Sequence, residues 1–494
     1  MALMRNRLFP FSVALAGCLL APYPTIVRAQ GQAPLKGTDP KSMMVELIQA
    51  LNSKSRDRIH GFLEEWILPG GNIEQRTGRW MTISEGGAPF SMLSNRLTTA
   101  NEVDSIVRDR EGTRLVFKLH LQPKPFLKLI GLQIAPAFRA EGASDELSQW
   151  ADLNSLCGQI LAKTHGTGMA MVVSHHGKIS AGLSGTRFLG SGPAIKSGDI
   201  WSVGAIGKAI CASVIGRLAE ERKLNWKSTL RQLLPGVPMS PGFEKVTISQ
   251  LMHHRAGFPQ DIPVPEGKIR PTDQGLMEAR FRYLKSALVG TIVAKPGSKF
   301  IYSNVGYAVL AGIAERLTGK PYEKLVSDFV FAPLKLKNSF IGLRHLRTDA
   351  TGYREYGDGL HVIDPTDGNS PITIGAGGCV FMSLGDLTRF GQAHLEGMKG
   401  KNGFLKAATM VALHQGEATE SRGDRMYGCG WSIETLPNLP VMHGHNGASA
   451  GHRVQLSIYP DADLVVAAAI NLVDSNDPSP GLLASMAVAK RYSK

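Results

Sequence analysis

"PGSKFIYSNVGYAVLAGIAERLTGKPY", residues 296–322, is the stretch on which the fold turns. Pro296-Gly297 punctuates a turn, and an apolar helical run then ends at Thr318-Gly319-Lys320-Pro321-Tyr322. Between them stands Tyr302-Ser303-Asn304, a phenol and an amide two positions apart at the mouth of a buried helix. Any tyrosine near an asparagine matches that triplet, so its weight comes from the company it keeps.

Upstream, "VGAIGKAICASVIGRLAEERKL" begins at Val203 and reads as a second apolar helix. On a helix three residues turn about 300°, which puts Ala205 and Lys208 on one face, a turn apart. A lysine there acts on whatever occupies 205. A serine hydroxyl is a poor nucleophile until a base within hydrogen-bond reach takes its proton, and a buried lysine loses its charge readily enough to serve. Position 205 is alanine, so an acyl-enzyme route is closed there. Ser202 falls on another face, Cys211 lies deeper in the helix as a buried thiol, and Ser303 points away if Tyr302 and Asn304 point inward. Downstream, His445-Asn446-Gly447 leads through Gly451 into a terminal hairpin.

Taken together, these motifs make residues 150–494 resemble the serine β-lactamase and penicillin-binding-protein superfamily, in its class C, D-aminopeptidase and esterase branch. That family uses S-x-x-K, Y-x-N and a K-T-G or H-x-G strand. "TISQLMHHRAGFP", "GAGGCVFMSLGDLTRF" and "YGCGW" match its register without carrying chemistry. The resemblance implies Ala205 at the nucleophile position, Lys208 as base, Tyr302 as second proton carrier, and Asn304 bonding a substrate amide or orienting Lys208. His445 would assist Tyr302 or hold a substrate carboxylate, unless a backbone partner merely satisfies it. Asn446, Gly447 and Ala448 would bind substrate, with the backbone N–H groups of 205 and 448 around the oxyanion. Substrates implied are D-residue peptides, peptidoglycan fragments, esters and β-lactams; the chain also resembles the serine hydrolases that cut linearised microcystin, which makes an unusual linear peptide a further candidate.

Two readings of Ala205 stay open. Either a serine hydrolase has been inactivated by replacing its nucleophile, or the alanine is natural. A natural alanine makes the chain a peptide- or acyl-ligand binding protein, or a hydrolase in which Lys208 and Tyr302 activate water.

The fold class expected is α+β: an antiparallel sheet with helices on both faces and a helical subdomain. Met169–Ser174 with its return strand through Ile179, and Val454–Tyr459 with Leu464–Ile470, read as hairpins from the two ends of one sheet, closed by a helix over Leu482–Ala489. A helix over Leu153–Lys163 precedes the first hairpin. Residues 32–145 read as a small α+β accessory domain. It has helices over Met43–Leu51 and Ile59–Ile67, and paired strands over Leu115–Leu121 and Phe126–Ile134.

Ahead of it, Arg5, Arg7, the apolar run Leu8–Ala21 and Val27-Arg28-Ala29 describe a signal peptide over residues 1–29, so the protein is periplasmic or secreted. Leu15-Ala16-Gly17-Cys18 also reads as a lipobox that would anchor the chain through Cys18. Of 494 residues 43% are hydrophobic and 19% charged, an ordinary globular composition. The net charge of +14 is scattered rather than run together, which excludes a nucleic-acid face. A small-molecule or peptide substrate is the partner expected, and oligomeric state is not legible. Cys18, Cys157, Cys211, Cys379 and Cys429 form no C-x-x-C pair, so zinc is not expected and buried thiols are. The pairs His175-His176 and His253-His254 would point to opposite faces of a strand, again with no metal or other cofactor.

Overall fold

The computed structural model describes residues 40–66, 73–99, 102–110, 114–121, 129–136, 147, 149–164, 166–190, 192–262, 273–342, 349–356, 359–363, 375–376, 379–419, 425–436, 438–473 and 479–493. The signal-peptide and lipobox readings, and Cys18, lie outside these residues. By their contacts the residues fall into two compact units. One is Met1–Arg139 with Glu355–Gly359 and Ser475–Asp477; the other is Ala140–Arg354, Leu360–Asp474 and Pro478–Lys494.

The smaller unit contains α1 (Pro40–Asn52), α2 (Arg56–Trp66) and α3 (Ile73–Gly87), then a meander of β1 (Ser91–Thr99), β2 (Glu102–Arg108), β3 (Arg114–Leu121) and β4 (Leu129–Pro136). In β3 the buried Phe117, Leu119 and Leu121 alternate along the strand, so one face meets the helices. They share a core with Met43, Leu47, Leu51, Phe62 and Trp80. The expected strand pair is β3 and β4, antiparallel, with Phe117 opposite Ile134. Sequence reading missed α3, β1 and β2. β1 alternates polar and apolar too weakly to announce a strand, and α3 holds Gly78, Gly86 and Gly87.

In the larger unit, α4 (Leu153–Leu161) opens on Asp152, whose carboxylate accepts from the Ser155 amide while the Ser155 hydroxyl accepts from the Asp152 amide. Next come β5 (Gly168–His175) and β6 (Lys178–Gly185), the first hairpin, and β7 (Ile200–Ser202). A 3₁₀ turn, Gly204–Ile206, leads into α5 (Gly207–Glu220). The helical layer continues with α6 (Asp273–Leu288) and α7 (Asn304–Thr318). The strands β8 (Ser339–Ile341) and β9 (Val380–Ser383) join β7 in a small sheet of order β7-β9-β8, and α8 (Leu384–Met398) follows.

Six further strands complete the main sheet: β10 (Glu417–Ala418), β11 (Arg425–Tyr427), β12 (Ser432–Glu434), β13 (Met442–Ser449), β14 (His452–Tyr459) and β15 (Leu464–Ile470). Their order is β10-β11-β12-β13-β14-β15-β5-β6. β15 pairs antiparallel with β5, Ala467 opposite Val172, so the two chain-distant hairpins lie side by side in the sheet. Every residue of β15 is buried, because helices cover both faces. A Cβ added to Gly391 of α8 would touch Val465 and Leu456, and one added to Gly481 of α9 (Pro480–Tyr492) would touch Gln455 and Ala468 on the other side. This is the expected α+β architecture.

One local expectation is corrected. His176 is the turn between the two strands of the first hairpin, at φ 50°, and its ring sits 4.2 Å from that of His175, so the two rings do not point to opposite faces. His254 also has positive φ, 57°, at the end of a short helix. Cys157, Cys211, Cys379 and Cys429 are buried free thiols, as read from their spacing. Among the described residues no helix is long and apolar enough to cross a membrane, and no group of three or more His, Cys, Asp or Glu could hold a metal.

Candidate active site

Apolar on every side, α5 is a core helix: the ten consecutive residues from Gly207 to Gly216, Lys208 among them, are all buried. Lys208 has no exposed surface. Its ammonium donates to Asn304 Oδ1 at 2.7 Å and lies 4.7 Å from the centre of the Tyr302 ring. Burial pushes its pKa down to about 7, against the opposing pull of Asp261. The turn at Gly204–Ile206 replaces the regular helix expected over Ala205. A 3₁₀ turn also brings residues three apart into line, so Ala205, half-buried, still shares a side with Lys208.

The Tyr302 loop is fixed from behind by His254. The His254 carbonyl accepts from the Ile301 amide at 2.8 Å, and its Nδ1 accepts from the Ser303 amide at 3.0 Å, so both neighbours of Tyr302 are tied to one residue. The two rings lie 4.5 Å apart. Ser303 caps α7: its hydroxyl accepts from the Gly306 amide and donates to the Pro259 carbonyl, turned from Lys208. Asn304 is oriented by Asp261, whose Oδ1 accepts from Asn304 Nδ2 at 2.8 Å, leaving Oδ1 of the amide for the lysine. Burial, then Asp261, raises the Tyr302 phenol above its ordinary value.

β13 brings the third group. His445 Nδ1 donates to its neighbour Asn446 O at 2.5 Å; a carbonyl only accepts, so Nε2 is bare and accepts from the Tyr427 hydroxyl at 3.0 Å. Burial and the Lys208 charge hold the imidazole neutral, at about 3. Its ring is 6.3 Å from that of Tyr302, but both nitrogens are engaged elsewhere. Asn446 and Ala448 are exposed and Gly447 buried. Here strand and turn touch backbone to backbone. A Cβ on Gly447 would stand 1.9 Å from Val203 O and 3.0 Å from the Ala205 nitrogen, and one on Gly204, at φ 50°, 2.8 Å from the Ala448 nitrogen. Only glycine allows this contact, which sets the amides of 205 and 448 beside each other.

Lys208, Tyr302, Asn304 and His445 are thus brought together around the turn carrying Ala205. Sequence reasoning missed two partners, Asp261 and Tyr427; His254, in a stretch read as carrying no chemistry, is structural and braces the Tyr302 loop. Tyr427 and His254 stood in stretches quoted for register alone; nothing in Pro259-Gln260-Asp261 signalled a carboxylate for Asn304.

A family profile described as beta-lactamase matches residues 153–490. Penicillin-binding protein 4 of Amycolatopsis lactamdurans is 26% identical over 321 residues, covering 62% of this chain and 81% of that one. A putative D-alanyl-D-alanine carboxypeptidase of Escherichia coli K12 is 32% identical over 132 residues, 25% of this chain and 29% of that one. Among solved structures, a D-stereospecific amidohydrolase from Streptomyces sp. superposes with a TM-score of 0.53 at 22% identity, covering 68% and 95% of the two chains. D-amino acid amidase from Ochrobactrum anthropi does so at 0.57 and 18%, covering 72% and 99%; at such identities both speak for the fold. With the profile spanning well over half its length, the chain belongs to the beta-lactamase family, serine-hydrolase-like in fold and grouped with penicillin-binding proteins.

Proposed function

We propose that this chain carries the acyl-transfer cleft of an exported serine hydrolase with alanine at the nucleophile position. It binds peptide, amide or ester ligands in that cleft and hydrolyses them by an acyl-enzyme route only when a hydroxyl stands at 205. The observation that carries the reading is Lys208: fully buried, held by Asn304, set over Tyr302 and one turn from Ala205. A lysine titrating near neutrality is suited to take a proton from a hydroxyl at 205. Tyr302 relays it to the leaving group, while the amides of 205 and 448 receive the oxyanion. Export rests on Arg5, Arg7, the apolar run and Val27-Arg28-Ala29; the membrane is a partner only if Cys18 is lipidated.

Ala205→Ser tests this with p-nitrophenyl acetate, a D-alanyl peptide amide and nitrocefin. Loss of a catalytic serine costs about 10⁶ in kcat while binding and oxyanion contacts retain roughly 10³ over water. A gain of about 10³ or more on one of these substrates is the expected result. A folded Ala205→Ser protein with no gain on any ester, amide or lactam defeats the hydrolase reading. The other reading, a catalytically inert peptide or acyl-ligand binding protein, is favoured by the alanine itself. It is distinguished by ligand binding that survives alongside an inert Ala205→Ser variant.

A further inference from the structure

With no hydroxyl at 205, the cleft contains a different nucleophile. We propose that Lys208 is itself an acyl acceptor: an activated carboxylic ester bound in the cleft transfers its acyl group to Nζ of Lys208 and leaves it there as an amide. The inference rests on the cleft assigned under the proposed function, but not on any serine.

Four observations carry it. The 3₁₀ turn over Gly204–Ile206 keeps Ala205 on the same side as Lys208, three positions on, so the lysine stem runs toward the space in front of the Ala205 methyl. Tyr302, Asn304 and Ala205 are half-exposed around it and form the approach. Nζ is engaged by a neutral amide, Asn304, and among the described residues no carboxylate lies within ion-pair distance of it; the nearest acid, Asp261, acts through Asn304. Competing nucleophiles are disabled: burial pushes the Cys211 thiol up to about 12, the Ser303 hydroxyl donates to Pro259, and the Tyr302 phenol is raised. A lysine at about 7 is half free amine at neutral pH, where surface lysines are almost wholly charged.

In the step, the ester carbonyl oxygen sits at the amides of 205 and 448, and the Nζ lone pair attacks the carbonyl carbon. A C–N bond forms, the ester C–O bond breaks, and the alkoxide or phenolate leaves with its electron pair. The ammonium proton passes to solvent. The product amide is not an activated acyl group, so the reaction stops after one equivalent.

The experiment uses the full chain with p-nitrophenyl acetate at pH 7.5, following phenolate release and mapping acetylated peptides by mass spectrometry. Expected are a burst of one phenolate per chain and acetylation of Lys208 at least tenfold faster than of any surface lysine, with a rate half-maximal near pH 7. Lys208→Met, shown folded by circular dichroism, removes the burst. Acetylation confined to surface lysines overturns the proposal, as does a burst that survives Lys208→Met; the peptide map of the unsubstituted chain decides even if the variant misfolds. Ala205→Ser separates the two claims. Turnover by that variant beside an unmodified Lys208 in the parent sinks this inference alone, and a modified Lys208 beside an inert Ala205→Ser sinks the hydrolase reading alone.

Discussion

Lys208 is a cost to folding at every pH below that at which an unfolded lysine titrates, about 10. Its folded value, about 7, is depressed below that of an unfolded lysine. Between pH 7 and about 10 the unfolded chain therefore binds more protons, and this group's contribution to stability rises with pH by up to about 1.4 kcal/mol per unit. Lys208→Met removes the effect. In urea denaturation the variant should exceed the parent in stability at pH 7, with the gap closing as pH approaches 10; a gap independent of pH would mean the lysine is not titrating as a buried group. Tyr427→Phe makes the second residue-scale prediction. Without the phenol, Nε2 of His445 has no donor, the neutral imidazole loses a hydrogen bond worth roughly 1 kcal/mol, and its pKa rises by about one unit. An NMR titration, with the signal assigned through His445→Gln, checks it. Lys208, Tyr302, Asn304 and His445 were legible because their chemistry is tied to short motifs at fixed spacing. Tyr427 and Asp261 were not, since they act through partners that only the folded chain brings near.

At the scale of elements, the site is made by β13 pressing on the 3₁₀ turn before α5. The contact leaves no room for a methyl at Gly447, so Gly447→Ala forces strand and turn apart. It should destabilise the protein by about 1–3 kcal/mol and abolish ligand binding and any Ala205→Ser turnover together; calorimetry with ligand titration reads both. Behind the same helix runs a directed chain of imidazoles. The Ser213 hydroxyl donates to Ala209 O, so it accepts from His394 Nε2; His394 Nδ1 then accepts from His414 Nε2, and His414 Nδ1 from His443 Nδ1. His394 and His414, which each accept at Nδ1, must be neutral for this order to hold. Burial depresses His394 to about 3 and His443 to about 4, with His414 also low, so the unfolded chain binds more protons as pH falls below 6.5. The contribution of these three histidines to stability should be flat above pH 6.5 and fall toward pH 4, by up to about 1.4 kcal/mol per unit for each. His414→Leu should be less stable at pH 7 yet show a shallower acid slope in urea denaturation. The two hairpins, drawn from the beginning and the end of the larger unit's chain, were legible from their alternation and turns. The imidazole chain was not, because it joins α8, β13 and the segment between them across residues that share no periodicity.

Over the whole molecule, the described residues of each unit build a large hydrophobic core of their own. One is built from Met43, Leu47, Phe62, Trp80, Phe117 and their neighbours, and the other from α5, α7, α8 and the central strands. The family match begins at residue 153, beyond the first of them. The change of unit was legible where a paired-strand pattern over 115–134 gives way to the helical pattern beginning at Leu153, whereas α3 and two of the four strands in the smaller unit left no pattern strong enough to read. A unit with its own core unfolds as its own cooperative step. Scanning calorimetry of the full chain should therefore resolve two transitions. Because every group around Lys208 belongs to the larger unit, a shortened chain covering 150–494 should keep the higher-enthalpy transition, lose the other, and retain acetylation at Lys208. Specific enthalpy scales with residue number, at about 0.7 kcal/mol per residue near 60 °C, so the lost transition should be the smaller by a factor of roughly two to three. A single transition in the full chain, with a shortened chain that fails to fold, would mean that the larger core is not self-sufficient and that the N-terminal unit is part of what holds the site together.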